Sequence, residues 1–148
     1  MATLYLVRGI PGSGKSTLAQ KLSREKGIGH YEADQYFSRN GSYVFDPSKL
    51  RAAHAWCFDK VNNELERGND VIVSNTFTQE WELVNYIDTA LDAGAKVEVI
   101  QCTGEWENIH GVPADKLAIM KSRFVDNSVI EQGYTPELVK GLIRFRKV

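Results

Sequence analysis

Apolar residues fall into short runs and helical stripes that alternate along the chain. Leu4, Leu6 and Val7 sit in an apolar stretch, residues 3–8, which predicts a strand ending at Gly9. Leu18, Ala19 and Leu22 then recur at helical spacing, which predicts a helix over 16–26 with Gly27 as its stop. Residues 28–32 read as a second short strand. Asp46-Pro47 makes an N-cap and N1 pair. The long helix it opens carries Leu50, Ala53, Trp56, Cys57, Val61 and Leu65 and ends at Gly68. Val71-Ile72-Val73 reads as a buried strand, Thr78 as the cap of a helix holding Trp81, Val84, Tyr86, Ile87 and Leu91, and 96–101 as a further strand. Pro113 opens a helix to about residue 124, and Pro136 opens a last one.

Strand followed by helix, repeated, predicts an α/β fold: a parallel sheet of four to five strands with helices on both faces. Right-handed crossovers then bring every strand C-terminus to one edge, where ligands bind. There is no internal repeat and no linker-like stretch, so one domain over 1–148 is expected.

Composition changes this picture little. Hydrophobic residues at 43% and charged residues at 25% exclude a disordered chain. No apolar run approaches the roughly 18 residues of a membrane span, and the N-terminus has no basic segment of the secretory kind. Cys57 and Cys102 stand far apart in no metal spacing, as do the three histidines, and read as reduced thiols of a cytoplasmic protein. Net charge is −1, but from Lys116 onward seven Lys/Arg face three Asp/Glu. A basic end of this kind suits phosphates, of a nucleotide or of a polynucleotide.

The chemistry is carried by Gly9-Ile10-Pro11-Gly12-Ser13-Gly14-Lys15-Ser16, a G-x-x-x-x-G-K-[ST] phosphate loop between a predicted strand and a predicted helix. Glycines allow close backbone approach to phosphate oxygens. The N–H groups from Gly12 to Thr17 would face an anion at a helix N-terminus, where the dipole favours negative charge. Gly9, Pro11, Gly12, Ser13, Gly14, Lys15, Ser16 and Thr17 are therefore the candidate ATP-binding residues. Lys15 would bridge the terminal phosphates, and Ser16 would place a hydroxyl on Mg²⁺.

Asp34 follows the second strand on the same edge. Its carboxylate suits the proton of an attacking hydroxyl, or a metal-bound water. Arg39, in the next turn, suits a phosphate or Asp34 itself. Where many phosphate-loop enzymes end a strand in a magnesium-directed Asp, this chain has Ser74. Asn75 and Thr76 beside it can hydrogen-bond an acceptor. Residues 103–124 take the place of a lid, with Lys116, Lys121 and Arg123 as candidate cations for the γ-phosphate. His54 reads as structural.

These stretches together resemble the polynucleotide-kinase-like P-loop kinases, the group that holds the kinase-like domain of the Nedd-binding-protein-two type and the kinase half of phage polynucleotide kinase. The likeness runs from Leu4 to about Val125. It rests on the phosphate loop, Ala33-Asp34-Gln35-Tyr36-Phe37, Tyr43-Val44-Phe45-Asp46-Pro47, Ala53-His54-Ala55-Trp56, Ser74-Asn75-Thr76-Phe77-Thr78 and His110-Gly111-Val112-Pro113. The resemblance implies ATP and Mg²⁺ at Lys15 and Ser16, a general base at Asp34, an acceptor side at Asn75 and a lid before Pro113. The chain departs from the family at Gln35, at Ser74 and in the lid stretch before His110, where Glu105-Trp106-Glu107-Asn108-Ile109 holds no arginine. Arg123, Lys116 or Arg39 would then replace the lid cation, or the enzyme is slow, or a partner supplies the cation.

The expected function is transfer of the γ-phosphoryl of ATP to a hydroxyl, first of all the 5′-hydroxyl of a DNA or RNA end. A kinase for a nucleoside, nucleotide or other small acceptor and a non-catalytic ATP-binding module are the alternatives. No membrane partner is expected, and the sequence leaves the oligomeric state open.

Overall fold

The structure, a computed structural model, describes residues 1–105 and 111–148. Five strands form one sheet: β1 (Thr3–Arg8), β2 (Gly29–Tyr31), β3 (Val71–Asn75), β4 (Lys96–Gln101) and β5 (Ile143–Lys147). They lie in the order β2-β3-β1-β4-β5, and every pairing is parallel. Helix α1 (Lys15–Lys26) returns β1 to β2; α2 (Leu50–Glu66) and α3 (Glu80–Asp92) make the next two crossovers. Between β4 and β5 run α4 (Ala114–Arg123), α5 (Asn127–Ile130) and α6 (Thr135–Val139).

Both faces of the sheet are covered, so the central strands are apolar nearly throughout. Leu4 and Leu6 of β1 face the larger core, with Ala53, Cys57, Val61 and Leu65 of α2 and Leu83, Ile87 and Ala90 of α3. Val7 faces the smaller one, with Ala19 and Leu22 of α1, Ile72 and Ile100. The α2 residues recur every fourth position, which gives one continuous buried stripe. Gly27, at φ 64°, takes the left-handed turn that ends α1.

The expected α/β class, strand count and crossover helices are all present. Two elements depart from the sequence reading. The helix opened by Pro136 stops at Val139, Gly141 at φ 72° turns the chain, and β5 follows along β4. Ile143 and Phe145 alternate with Arg144 and Arg146, the period of a strand with one face on the core. The cap of α3 sits at Gln79 rather than Thr78. Glu82 Oε1 accepts from the Gln79 N–H at 3.3 Å and from the Thr78 hydroxyl at 3.0 Å. Among the described residues, no helix is long and apolar enough to cross a membrane.

Candidate nucleotide and acceptor site

The C-terminal ends of β1, β2, β3 and β4 meet at one edge, and the phosphate loop springs from the central one. Gly9 has no room for a side chain, because a Cβ there would lie 2.2 Å from Ser13 Oγ and 3.1 Å from the Cys102 carbonyl. Gly12 (φ 86°) and Gly14 (φ 92°) hold the left-handed conformations that curl the loop over the start of α1. The first bond of that helix is Leu18 N–H to the Gly14 carbonyl. Gly12, Gly14, Lys15, Ser16 and Thr17 thus keep N–H groups with no partner among the described residues. Ser13 Oγ is buried and also unpartnered. This donor set fits a bound phosphate chain.

Lys15 is buried at 9% exposure, which pulls its pKa down; attraction to Glu32, then Cys102 and Asp34, opposes that pull. The ammonium is held ready for an anion rather than neutralised by an ion pair. Ser16 is half-buried at the second helical position, where its hydroxyl suits a magnesium ion.

Asp34 lies in a 3-10 turn, Ala33–Ser38, directly after β2. Asn75 fixes that turn: its Oδ1 accepts the Ala33 N–H at 2.9 Å, while its Nδ2 faces the Cys57 sulfur at 3.9 Å. Asn75 is therefore a strut between β3 and the Asp34 turn, with its amide oxygen already engaged. Thr76 receives the Gly9 N–H on its carbonyl at 3.3 Å, tying the phosphate loop to the same segment. Asp34 is exposed, and Tyr43 donates its hydroxyl to Asp34 Oδ1 at 2.7 Å. That bond pushes the phenol up to about 12. Tyr43 belongs to an aromatic cluster with Tyr36, Phe37 and Phe45, in which Phe37 and Phe45 stand edge to face at 5.0 Å.

Of the candidate cations, Arg39 lies over the Tyr36 ring at 3.6 Å and donates Nε to the Tyr36 carbonyl, so it makes no pair with Asp34. Arg123 is exposed, and its carbonyl accepts from Gln79 Nε2. The candidate cation that shares a cleft with the loop is Lys121. It lines a cleft of about 460 Å³ between residues 10–13, the segment after β4, Leu117 of α4 and Phe124 just beyond that helix. Its Nζ pairs with Glu105 at 4.0 Å. Spacing alone did not separate these residues. One turn of α4 decides which side chain faces the loop, and the sequence does not show the helix rotation. The lid's Trp106, Glu107, Asn108, Ile109 and His110 lie outside the described residues.

Sequence reasoning missed Arg8. It is fully buried, donating Nε and Nη2 to the Phe77 carbonyl at 3.1 and 2.7 Å and Nη1 to Asn127 Oδ1 at 2.9 Å, with Phe124 4.1 Å from its Cζ. Burial lowers it to about 10, while Asp126 and Glu82 draw it upward. One side chain thus joins the start of the phosphate loop to the turn after β3 and to the end of α4. Phe77 itself has φ 47°, a strained value for a non-glycine. A second cleft, about 620 Å³, opens between α2 and α3 over Phe58, Phe77 and Trp81, with Arg51 and His54 on its wall. His54, on α2 as expected, is exposed there.

A family model described as AAA domain matches residues 4–133. The chain belongs to this family. NEDD4-binding protein 2 of Homo sapiens is 33% identical over 151 residues, which cover 93% of this chain and 8% of that protein. The chain therefore spans less than a tenth of that relative's length. Chaetomium thermophilum Kti12, solved in complex with ADP-AlF3, superposes with a TM-score of 0.66 over 97% of this chain and 88% of that one, at 16% identity. A chain of the Pnkp1/Rnl/Hen1 RNA repair complex gives 0.57 over 93% and 46%, at 22% identity. These likenesses bear out the resemblance to polynucleotide-kinase-like P-loop proteins and the P-loop kinase type of fold.

Proposed function

We propose that the chain is an ATP- and Mg²⁺-dependent kinase that phosphorylates a hydroxyl acceptor, the 5′-hydroxyl of a DNA or RNA end before others. The observation that carries this is the pairing, on one sheet edge, of an unsatisfied phosphate cradle around Lys15 with a carboxylate, Asp34, held by Asn75. The N–H groups of Gly12 and Gly14 to Thr17 would bind the phosphate chain of ATP, and Lys15 would bind its terminal oxygens. Magnesium, held at the Ser16 hydroxyl, would neutralise charge between the β- and γ-phosphates. Asp34 would take the acceptor proton as the acceptor oxygen bonds to the γ-phosphorus and ADP leaves. Tyr43 would keep the carboxylate aimed until the acceptor replaces it. Lys121 would meet the charge on the transferred group from the α4 side.

A nucleotide-sized small acceptor is favoured by one observation. Arg146 is bound to Glu98 at 2.5 Å and Lys147 to Asp126 at 2.7 Å, so two of the four basic residues from Lys140 onward are already neutralised. The free, buried thiols of Cys57 and Cys102 suit a cytoplasmic setting. Labelled ATP offered with a panel of 5′-hydroxyl oligonucleotides, nucleosides and nucleotides tests the reading. Label on the oligonucleotide end supports the first acceptor, label on a small molecule the second. ATP binding with no transfer to any hydroxyl would replace the kinase by a nucleotide-binding module.

A further inference from the structure

The kinase reading leaves His30, Glu32 and Ser74 without a task, yet they form a chain at the same edge. Ser74 is wholly buried at the end of β3, opposite Val7 of β1 and thus two residues from the start of the phosphate loop. Its hydroxyl donates to Glu32 Oε2 at 3.2 Å, and His30 Nε2 stands 2.6 Å from that hydroxyl's own oxygen, Ser74 Oγ. A carboxylate only accepts, so the single Ser74 proton is committed to Glu32. His30 must then donate Nε2–H to Ser74. The direction is fixed from imidazole to hydroxyl to carboxylate.

Glu32 is aimed by this chain through one oxygen only; Oε1 has no hydrogen bond among the described residues. Among the charges that act on Lys15, Glu32 is the strongest attraction, ahead of Asp34. Asp34 is engaged by Tyr43 on the solvent side. Two carboxylates therefore serve two sides of one cradle, and the buried-side one has a free oxygen.

We propose that Glu32 supplies the metal-side carboxylate that β3 lacks at Ser74, holding a water of the ATP-bound Mg²⁺ through its free oxygen while His30 and Ser74 fix its orientation. This rests on the phosphate-loop reading and divides the labour: Asp34 for the acceptor, Glu32 for the metal. Magnesium keeps several waters, so one outer carboxylate is enough. Outer-sphere partners of this kind change metal affinity by about 10–100-fold when removed.

Calorimetric titration of ATP with Mg²⁺ and with EDTA, on wild type, Glu32→Gln, Ser74→Ala and Asp34→Asn, tests it without any turnover. Glu32→Gln should keep its metal-free ATP affinity and lose about 10-fold or more of the gain that Mg²⁺ gives. Ser74→Ala, which keeps the carboxylate but removes its donor, should lose part of the gain. Asp34→Asn should keep all of it. A full Mg²⁺ gain in both Glu32→Gln and Ser74→Ala overturns the assignment, as does a loss confined to Asp34→Asn, with ATP binding itself left standing. A wild-type chain that binds no ATP would instead overturn the phosphate-loop reading and this inference with it.

Discussion

Lys15 is the residue whose removal separates binding from folding. Its ammonium meets no ion-pair partner among the described residues, and its burial follows from the loop that encloses it. Lys15→Ala should abolish tight ATP binding in calorimetry while thermal unfolding stays within a few degrees of wild type; equal ATP affinity would refute the role. The phosphate loop was legible because its geometry is local, eight consecutive residues whose glycines and lysine act on one anion. Asp34 was legible for the same reason, standing just after a strand. What holds it there was not. Asn75 reaches Ala33 across 42 positions, and Ser74 reaches Glu32 across another 42. Such contacts are set by the pairing of β2 with β3, which no short window of sequence contains. Ser74 read as a missing acid, whereas the packing gives it an acid, Glu32, from just beyond the neighbouring strand.

Among elements, β5 carries the clearest lesson. Pro136 is a sound helix start, and the chain obeys it for one turn before Gly141 redirects it. The alternation of Ile143 and Phe145 with arginines is a strand signal that lies beyond the Pro136 helix start on which the sequence reading rested. Asp126 then clasps the strand: Oδ1 takes Lys147 Nζ at 2.7 Å and Gln101 Nε2 at 3.1 Å, and Oδ2 takes the Ser128 N–H and hydroxyl. The Lys147 bond, followed by those from Ser128, holds the carboxyl well below the usual range. A depressed carboxyl pKa adds stability above its unfolded value, near 3.9, that fades as pH falls through the folded one. Asp126→Asn should therefore cost about 1 kcal/mol at pH 7, a modest figure for a partly exposed group. The gap between wild type and variant in denaturant midpoints should close as pH drops below about 4. A gap unchanged at pH 3 would deny the clasp. Asn127→Ala tests the neighbouring tie, since it strands one donor of the buried Arg8 guanidinium. It should lower stability by about 1–3 kcal/mol in the same titration.

At the scale of the whole molecule, function gathers on one edge because a parallel sheet sends every strand end there. The charge surplus after Lys116 looked like a grip for a polynucleotide. In three dimensions Arg146 and Lys147 are spent on Glu98 and Asp126, leaving Lys140 and Arg144 exposed and unpaired among the described residues. If a nucleic-acid strand is the acceptor and these two hold it, Lys140→Gln with Arg144→Gln should flatten the salt dependence of oligonucleotide binding by roughly 0.7 per lost single-strand phosphate contact. ATP affinity should not move. An unchanged slope would turn the reading toward the small acceptor. The central claim, that the phosphate cradle and Asp34 form one phosphoryl-transfer site, meets its most direct test in single-turnover transfer from labelled ATP by wild type and Asp34→Asn, with ATP affinity measured alongside. The account predicts a fall of about 100-fold or more in transfer with ATP affinity nearly unchanged. Transfer at the wild-type rate in Asp34→Asn would contradict it.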